Sequence, residues 1–436
     1  SPEPRVQSPE TPNPEYRQIL PHFHSSQAAL TPASAYMWGT NLPRSQTRMA
    51  LPIVETRASR QSRYEATLWR HMSALAELPA EYQTLDDAAV ARRTVAAKRA
   101  LGEDLCLLVH NYQRDEIARF ADAMGDSFQL SVFAKKTKAR NIVFAGVTFM
   151  AETADLVTDG QRNVVMPSME ASCPMAGMSE MVQVARAWDR IGQWTDASRV
   201  VPVTYMNSYA DLKAFTGENG GLVCTSANSI KAMQWAFARG DKVLFTPDQY
   251  LGLNTATWLG IPDDQIVRWN PWDPKGNGGG LTQDDIRRAK VILWQGFCQV
   301  HERFKVEHVA QMRADHPDVR IIVHPECRRE VVQAADAWGS TAVIEKWVAE
   351  QPAGSTLAIG TEIHMVKRLA AQHPDKTIVQ LCGELCLDCN AMRQIDPRYM
   401  LWTLEELEAG NVVNRIQVDD ADRAGGKLAI ERMLAL

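Results

Sequence analysis

Eight cysteines are scattered along the 436-residue chain, and three of them occupy matching positions. Cys173 sits in SCPMA, Cys298 in GFCQVH and Cys389 in CLDCNAM. Three thiolates suit a [4Fe–4S] cluster, one per chain, with one open iron that has no protein ligand. Such an iron binds a hydroxyl or carboxylate as a Lewis acid and assists dehydration. Other polar residues also recur at equivalent places. His110 and His324 each end an apolar run, and Tyr112 and Glu326 follow two residues later. A carboxylate beside an iron–sulfur centre and an anionic ligand has a perturbed pKa, which suits acid–base work. We read Glu326 as the principal general base and Tyr112 as its partner, with His324 in the same catalytic group. Ser127, Ser226, Ser340 and Thr341 stand where apolar runs turn into helical stretches. Hydroxyls and N–H groups at helix starts bind carboxylates and phosphate, and the same residue types also cap helices. Cys106 and Cys224 fall within apolar runs and read as small buried hydrophobes; Cys327 and Cys382 read as structural.

The elements that must position these residues alternate. From Cys106 onward, short apolar runs and helical stretches take turns, the pattern of a parallel sheet covered by helices. Twelve strands are predicted in three groups of four. The first is CLLVH, DAMGDS, NIVFAGV and NVVMPS; the second is VVPVTYM, GLVCTS, KVLFTPD and VILWQGF; the third is IIVHPE, DAWGST, TLAIGTE and TIVQLC. The groups form an internal repeat. First loops are HNYQ, TYMNS and HPEC, second loops carry Ser127, Ser226 and Ser340, and fourth loops carry the three cysteines. The steps from His110 to Cys173, Tyr205 to Cys298 and His324 to Cys389 are 63, 93 and 65 residues. The long middle step comes from an insertion over 254–288, rich in Gly, Pro and Trp, whose GNGGG reads as a flexible surface loop. Ligands of parallel α/β sheets bind beyond the carboxyl ends of the strands. Three units turning those ends inward converge on one central site.

Composition bounds the rest. Hydrophobic residues make up 45% and charged residues 23%, as in an ordinary globular protein. A net charge of −5 leaves no basic footprint for nucleic acid, and no apolar run reaches the ~18 residues of a membrane span. No segment combines a charged start with the apolar core of a signal peptide. The thiols are therefore expected to be reduced. An exposed iron is oxygen-sensitive, so the expected location is cytoplasmic. The first 43 residues hold 8 of the 22 prolines. Residues 1–75 read as a Pro-rich, partly disordered extension. The α/β domains are expected at 76–195 (joined by 395–436), 196–300 with the insertion, and 301–394.

The ordered motifs resemble the quinolinate synthase family of bacterial NadA type. They include HNYQRDEI, ADAMGDSFQL, FAGVTFMAETADLV, SCPMAG, VTYMNSYADLKA, CTSANS, WQGFCQVHERF, VHPECRREVV, WGSTAVI, IGTEIHMVKRL and CNAM. The resemblance covers about residues 100–436. It implies three similar three-layer α/β/α domains with parallel sheets around a pseudo-threefold axis, the active site at their centre. It implies a transferase that condenses iminoaspartate with dihydroxyacetone phosphate to quinolinate, releasing phosphate and two waters, early in de novo NAD synthesis. It implies a [4Fe–4S] cluster on Cys173, Cys298 and Cys389. Substrate contacts are implied at His110, Asp126, Ser127, Tyr205, Asn207, Ser226, His324, Glu326, Ser340 and Thr341. A transient coupling to an aspartate-oxidising enzyme fits such a substrate; nucleic acid and membrane do not.

Two alternatives remain at this point. Cys382, Cys386 and Cys389 spell the C-x3-C-x2-C of radical S-adenosylmethionine enzymes, but only 47 residues follow, too few for that barrel. A diphthamide-biosynthesis type of enzyme, an unconventional radical S-adenosylmethionine protein, also hangs one cluster on three similar domains. HNYQ, GVTFMAE and HPEC suit a small dianionic substrate better. A zinc scaffold wants four close ligands, and only Cys386 and Cys389 offer such a pair. Cys386 is either a redox partner of Cys389 or a bystander.

Overall fold

The computed structural model describes residues 77–275, 278–383 and 387–436. The Pro-rich extension, part of GNGGG and Cys386 lie outside the described residues.

The described residues form three parallel sheets. The first takes β1 (Leu105–His110), β2 (Ala123–Gly125), β3 (Asn141–Ala145) and β4 (Asn163–Val165) in the order β2-β1-β3-β4. The second takes β5 (Val200–Tyr205), β6 (Leu222–Cys224), β7 (Lys242–Thr246), β8 (Ile266–Trp269) and β9 (Val291–Trp294) in the order β6-β5-β7-β9-β8. The third takes β10 (Arg320–Val323), β11 (Ala337–Trp338), β12 (Thr356–Gly360) and β13 (Thr377–Gln380) in the order β11-β10-β12-β13. The repeat is thus also a repeat of topology: in each unit the second strand flanks the first, and the third and fourth follow on the other side.

All twelve expected strands are present, and β8 is an addition inside the expected insertion. It escaped the sequence reading because it is a four-residue edge strand with one wet face. Val267 and Trp269 are buried while Arg268 is exposed, so it shows no apolar run. The central strands are continuous apolar runs because both of their faces are covered. Val243 and Phe245 enter one core and Leu244 the other; Val291 and Leu293 likewise oppose Ile292 and Trp294. In the third sheet Ala358 faces away from Leu357 and Ile359.

Ten helices matter below: α1 (Asp87–Leu101), α2 (Ser127–Lys136), α3 (Thr148–Val157), α4 (Ala210–Glu218), α5 (Ser229–Phe237), α6 (Gln249–Trp258), α7 (Thr341–Glu350), α8 (Ile363–Gln372), α9 (Pro397–Glu408) and α10 (Asp420–Leu434). The last two bind the chain's end to its earlier parts. α9 lies on α1, where Glu405 accepts from Arg93 Nε at 2.8 Å and from the Tyr82 hydroxyl at 2.6 Å. Residues 414–416 run antiparallel to the free edge of β4. α10 then packs along α4 and touches α3. Arg423 of α10 meets the buried Asp155 of α3 at 2.9 Å. Among the described residues, no helix is long and apolar enough to cross a membrane.

α4 and α10 approach closely because glycine faces glycine. A Cβ on Gly217 would lie 2.0 Å from the Gly425 carbonyl oxygen, and one on Gly425 would lie 2.6 Å from that of Ala214. Gly217→Ala is expected to destabilise the protein by about 1–3 kcal/mol through overpacking, despite alanine's better helix propensity. Thermal unfolding checks this; an unchanged or raised Tm would mean that the two helices separate freely.

Candidate active site

Helix starts place the three cysteines. Cys173 precedes the short helix Pro174–Gly177, and Cys389 precedes Asn390–Arg393. Cys298 lies just ahead of the turn His301–Arg303. Each thiol receives backbone N–H groups from the turn that follows: Met175 and Ala176 at Cys173, His301 at Cys298, Ala391 and Met392 at Cys389. That environment favours thiolate. All three side chains are half-buried at the margins of the main core. They are also close enough to feel one another's charge: Cys173 and Cys389 both push the Cys298 thiol up, and Cys173 does the same to Cys389. Burial is the larger cause, carrying Cys173 to about 11 and Cys389 to about 12. Each of the three thiols thus has N–H donors for a thiolate, while burial opposes its ionisation.

A shared backbone bond holds these loops. The first N–H of the helix after each unit's third strand donates to the carbonyl two residues before the cysteine. Thr148 bonds Ala171 at 3.0 Å, Gln249 bonds Gly296 at 2.9 Å and Ile363 bonds Leu387 at 3.1 Å.

Next to Cys298 lies a ring of polar side chains, in which His301 of the loop after β9 meets side chains of the first and third units. The Tyr112 hydroxyl is 3.3 Å from His301 Nε2 and 2.8 Å from Thr361 Oγ1, and His301 Nε2 is 3.1 Å from the same threonine. On its other side, His301 Nδ1 lies 3.0 Å from Glu326 Oε2. His324 Nδ1 lies 3.1 Å from that oxygen, and the two imidazoles stack at 4.4 Å. Glu326 is 3% exposed, and its other oxygen, Oε1, has no hydrogen-bond partner among the described residues. Cys298, His301 and Glu326 offer ligand atoms within 4.8 Å of one another. Both His301 nitrogens already face Tyr112, Thr361 and Glu326, so this trio reads as an acid–base group beside the cysteines.

The first-loop histidines share a local turn. Tyr112 N–H donates to His110 Nδ1 at 3.1 Å, and Glu326 N–H approaches His324 Nδ1 at 3.4 Å. At His110 this leaves the proton on Nε2, a neutral donor. Asn111 Nδ2 donates to Thr341 Oγ1 at 3.0 Å, joining the first and third units. Ser340 caps α7 by position, but its hydroxyl makes no cap bond; it is 1% exposed and has no hydrogen-bond partner among the described residues. Tyr205 is buried and feels the charge of Glu326 and Tyr112.

Other expected site residues take up positions at strand ends and helix starts. Asp126 forms a capping box with Gln129 at the start of α2, its Oδ1 accepting at 2.9 Å. Ser127 follows as the first helical residue. Asn207 and Ser226 are half-buried in loops after β5 and β6. Among the described residues, no hydrogen bond or ion pair ties these four to Tyr112, His301 or Glu326.

Sequence reasoning passed over several supports. His301, three residues after Cys298, stands at the centre of the ring. Arg368 of α8 donates to the carbonyl of Gln113 at 3.0 Å and also to that of Asn111. Buried Lys213 donates to Ser208 O, and Glu152 accepts from Ala210 N–H at 2.9 Å, bracing the loop that carries Asn207. Asn111 lies in the HNYQ first loop, while Arg368 and the buried Lys213 fall within the quoted motifs but on helices, where no local pattern marks their partners.

Comparison with known proteins gives one answer. The family model described as quinolinate synthetase A protein (NadA) matches residues 93–435. The quinolinate synthase of Halobacterium salinarum is 53% identical over 362 residues, covering 83% of this chain and 96% of the relative. That of Corynebacterium glutamicum is 49% identical, covering 82% and 90%. That of Streptomyces coelicolor is 48% identical, covering 83% and 91%.

Burial sets the charge states in the ring. It pushes His110 down to about 3, helped by Arg368 and His324, and His324 down to about 4, helped by His301. Burial also raises Tyr112, reinforced by the Glu326 charge. Burial opposes ionisation of Glu326 as well, but His301 and His324 together hold its carboxyl below the usual range. The unfolded chain protonates these histidines near ~6.5. Their contribution to stability is therefore complete above ~6.5 and is lost as pH falls toward their folded values. Glu326 acts in the same direction at lower pH, below its ordinary ~4.3. The Tm is expected to fall steadily from about pH 6.5 to about pH 5. A flat Tm across that range would mean that the buried imidazoles accept protons in the folded state.

Proposed function

Because the chain belongs to the quinolinate synthetase A family, we propose that it is a quinolinate synthase, condensing iminoaspartate with dihydroxyacetone phosphate to quinolinate, phosphate and two waters in NAD biosynthesis. The observation that carries the reading is the position of the Tyr112–His301–Glu326–His324 ring directly beside clustered cysteines from all three units. Family membership favours this condensation over the diphthamide-type alternative. Cys173, Cys298 and Cys389 are the ligands of one [4Fe–4S] cluster. When bound, that cluster supplies a Lewis-acidic iron for the loss of water.

The chain's own residues do the rest. The His110 Nε2–H, the Ser340 hydroxyl and the N–H groups at the start of α7 bind carboxylate or phosphate. Tyr205, Asn207, Ser226, Ser127 and Thr341 complete the polar lining, and Asp126 sets the helix start that presents Ser127. Neutral imidazoles matter here, since they donate to anions without needing a proton from solvent. Glu326 begins ionised, so it begins as an acceptor; its unpartnered Oε1 is available to a substrate proton. With Glu326 facing His301 Nδ1, His301 Nε2 faces the Tyr112 hydroxyl. Tyr112, kept protonated by burial, then donates and recovers a proton across that contact.

Anaerobic purification should yield about four iron and four sulfide per chain. Zinc alone, with no sulfide, would sink the cluster assignment. Serine at Cys173, Cys298 or Cys389 is expected to remove the cluster, and serine at Cys382 to leave it. Glu326→Gln should keep the cluster and lower quinolinate formation by ~10²–10⁴-fold. Activity within tenfold of the parent chain would remove Glu326 from the base role.

A further inference from the structure

Two buried carboxylates outside the proton-transfer ring have a common geometry. Asp248 caps α6 and Glu362 caps α8, each at the start of the helix after its unit's third strand. Both are fully buried. Asp248 Oδ1 accepts from Leu251 N–H at 2.7 Å, the cap, and its Oδ2 accepts from Cys298 N–H at 3.2 Å. Glu362 Oε2 accepts from His364 and Met365 N–H at 2.7 and 3.3 Å, the cap, and its Oε1 accepts from Cys389 N–H at 3.3 Å. The equivalent residue of the first unit is Val147, which has no acceptor. There the loop before Cys173 is held through Ala171, whose carbonyl receives Thr148 N–H and, at 3.2 Å, Thr148 Oγ1–H, and through the Ser172 hydroxyl, 2.5 Å from that of Tyr209; among the described residues no carboxylate accepts from Cys173 N–H.

We infer that Asp248 and Glu362 are positioning residues for Cys298 and Cys389, each tying the backbone of one cysteine to the start of a helix, and that Cys173 lacks this second tie. The requirement is a side chain with two acceptor oxygens. A neutral cap such as Ser, Thr or Asn offers one oxygen at one place, whereas the carboxylate sets one oxygen on the helix start and the other, on its far side, on the cysteine N–H. Each carboxylate also joins two loops of the same unit, so the cysteine N–H and the helix start move together. At Glu362 the Oε1 atom is further fixed by His364 Nδ1 at 2.7 Å. A cysteine N–H held in this way fixes the backbone that aims its thiol.

The inference about backbone position stands on geometry, and its consequence for metal rests on the cluster reading above, so the test has two arms. In the iron-free full-length chain, alkylation of each cysteine is followed by mass spectrometry. Asp248→Asn should speed labelling of Cys298 about fivefold, the worth of one hydrogen bond, and leave Cys173 within about twofold. Glu362→Gln should do the same at Cys389 alone. Asp248→Glu and Glu362→Asp keep two oxygens and should restore slow labelling. Thr282→Ala, which removes a surface helix cap remote from the cysteines, should show no selectivity. Labelling that is unchanged, or that rises equally at all three cysteines, overturns the inference. In the iron-loaded chain, loss of the visible iron–sulfur absorbance to a chelator should be about tenfold faster in the Asn and Gln variants. Selective labelling in a chain that takes up no iron and sulfide would uphold the positioning role and reject the cluster reading. A loaded chain with flat labelling would do the reverse.

Discussion

The first N–H of a helix has no partner within that helix, and a buried one must find a partner elsewhere. In this protein the helix after each third strand finds it in the loop after the fourth, two residues before a cysteine. The bond is backbone to backbone, so it does not depend on side-chain identity, and it recurs in all three units. It places each cysteine at a set offset from a strand end. Parallel strands deliver all such ends to one edge of their sheet, and the first-loop histidines arrive at the same edge. The site is thus assembled from positions that the topology repeats, while the residue types vary from unit to unit.

Much of this was legible because burial on two faces writes itself as an apolar run. Even the short β2, β6 and β11 were found, because the repeat supplied the expectation that local pattern alone left weak. β8 was missed for the converse reason: it alternates, with Arg268 in water. Among site residues, those at strand ends could be read from their register in the repeat. His301 could not be given its full place, since it sits in a fourth loop and its partners Tyr112 and Glu326 come from two other loops. Asp126 shows the limit of motif reading: a polar residue at a strand-to-helix turn serves the helix as readily as a ligand, and here it completes a capping box. Arg368 acts on carbonyls some 250 residues away in sequence, a relation that no local pattern encodes.

The ring also differs in character from the overall charge of the chain. A net charge of −5 belongs to the whole surface. At the centre, one carboxylate is offset by two stacked imidazoles, and hydroxyls and ring N–H groups provide donors that carry no charge. Deep burial makes each contact stronger and each missing partner more costly. Glu326 Oε1 and Ser340 Oγ are buried without a hydrogen-bond partner among the described residues.

The chain's end closes what its beginning opens. β4 is an edge strand of the first sheet, and residues 414–416 cover that edge. During synthesis from the N-terminus, about 250 residues must emerge before this cover exists, and the glycine seam between α4 and α10 cannot form earlier. A bare strand edge is a template for mispairing. The first sheet, although made first, is therefore finished last, and a nascent chain carries this open edge while more than half of its length is made.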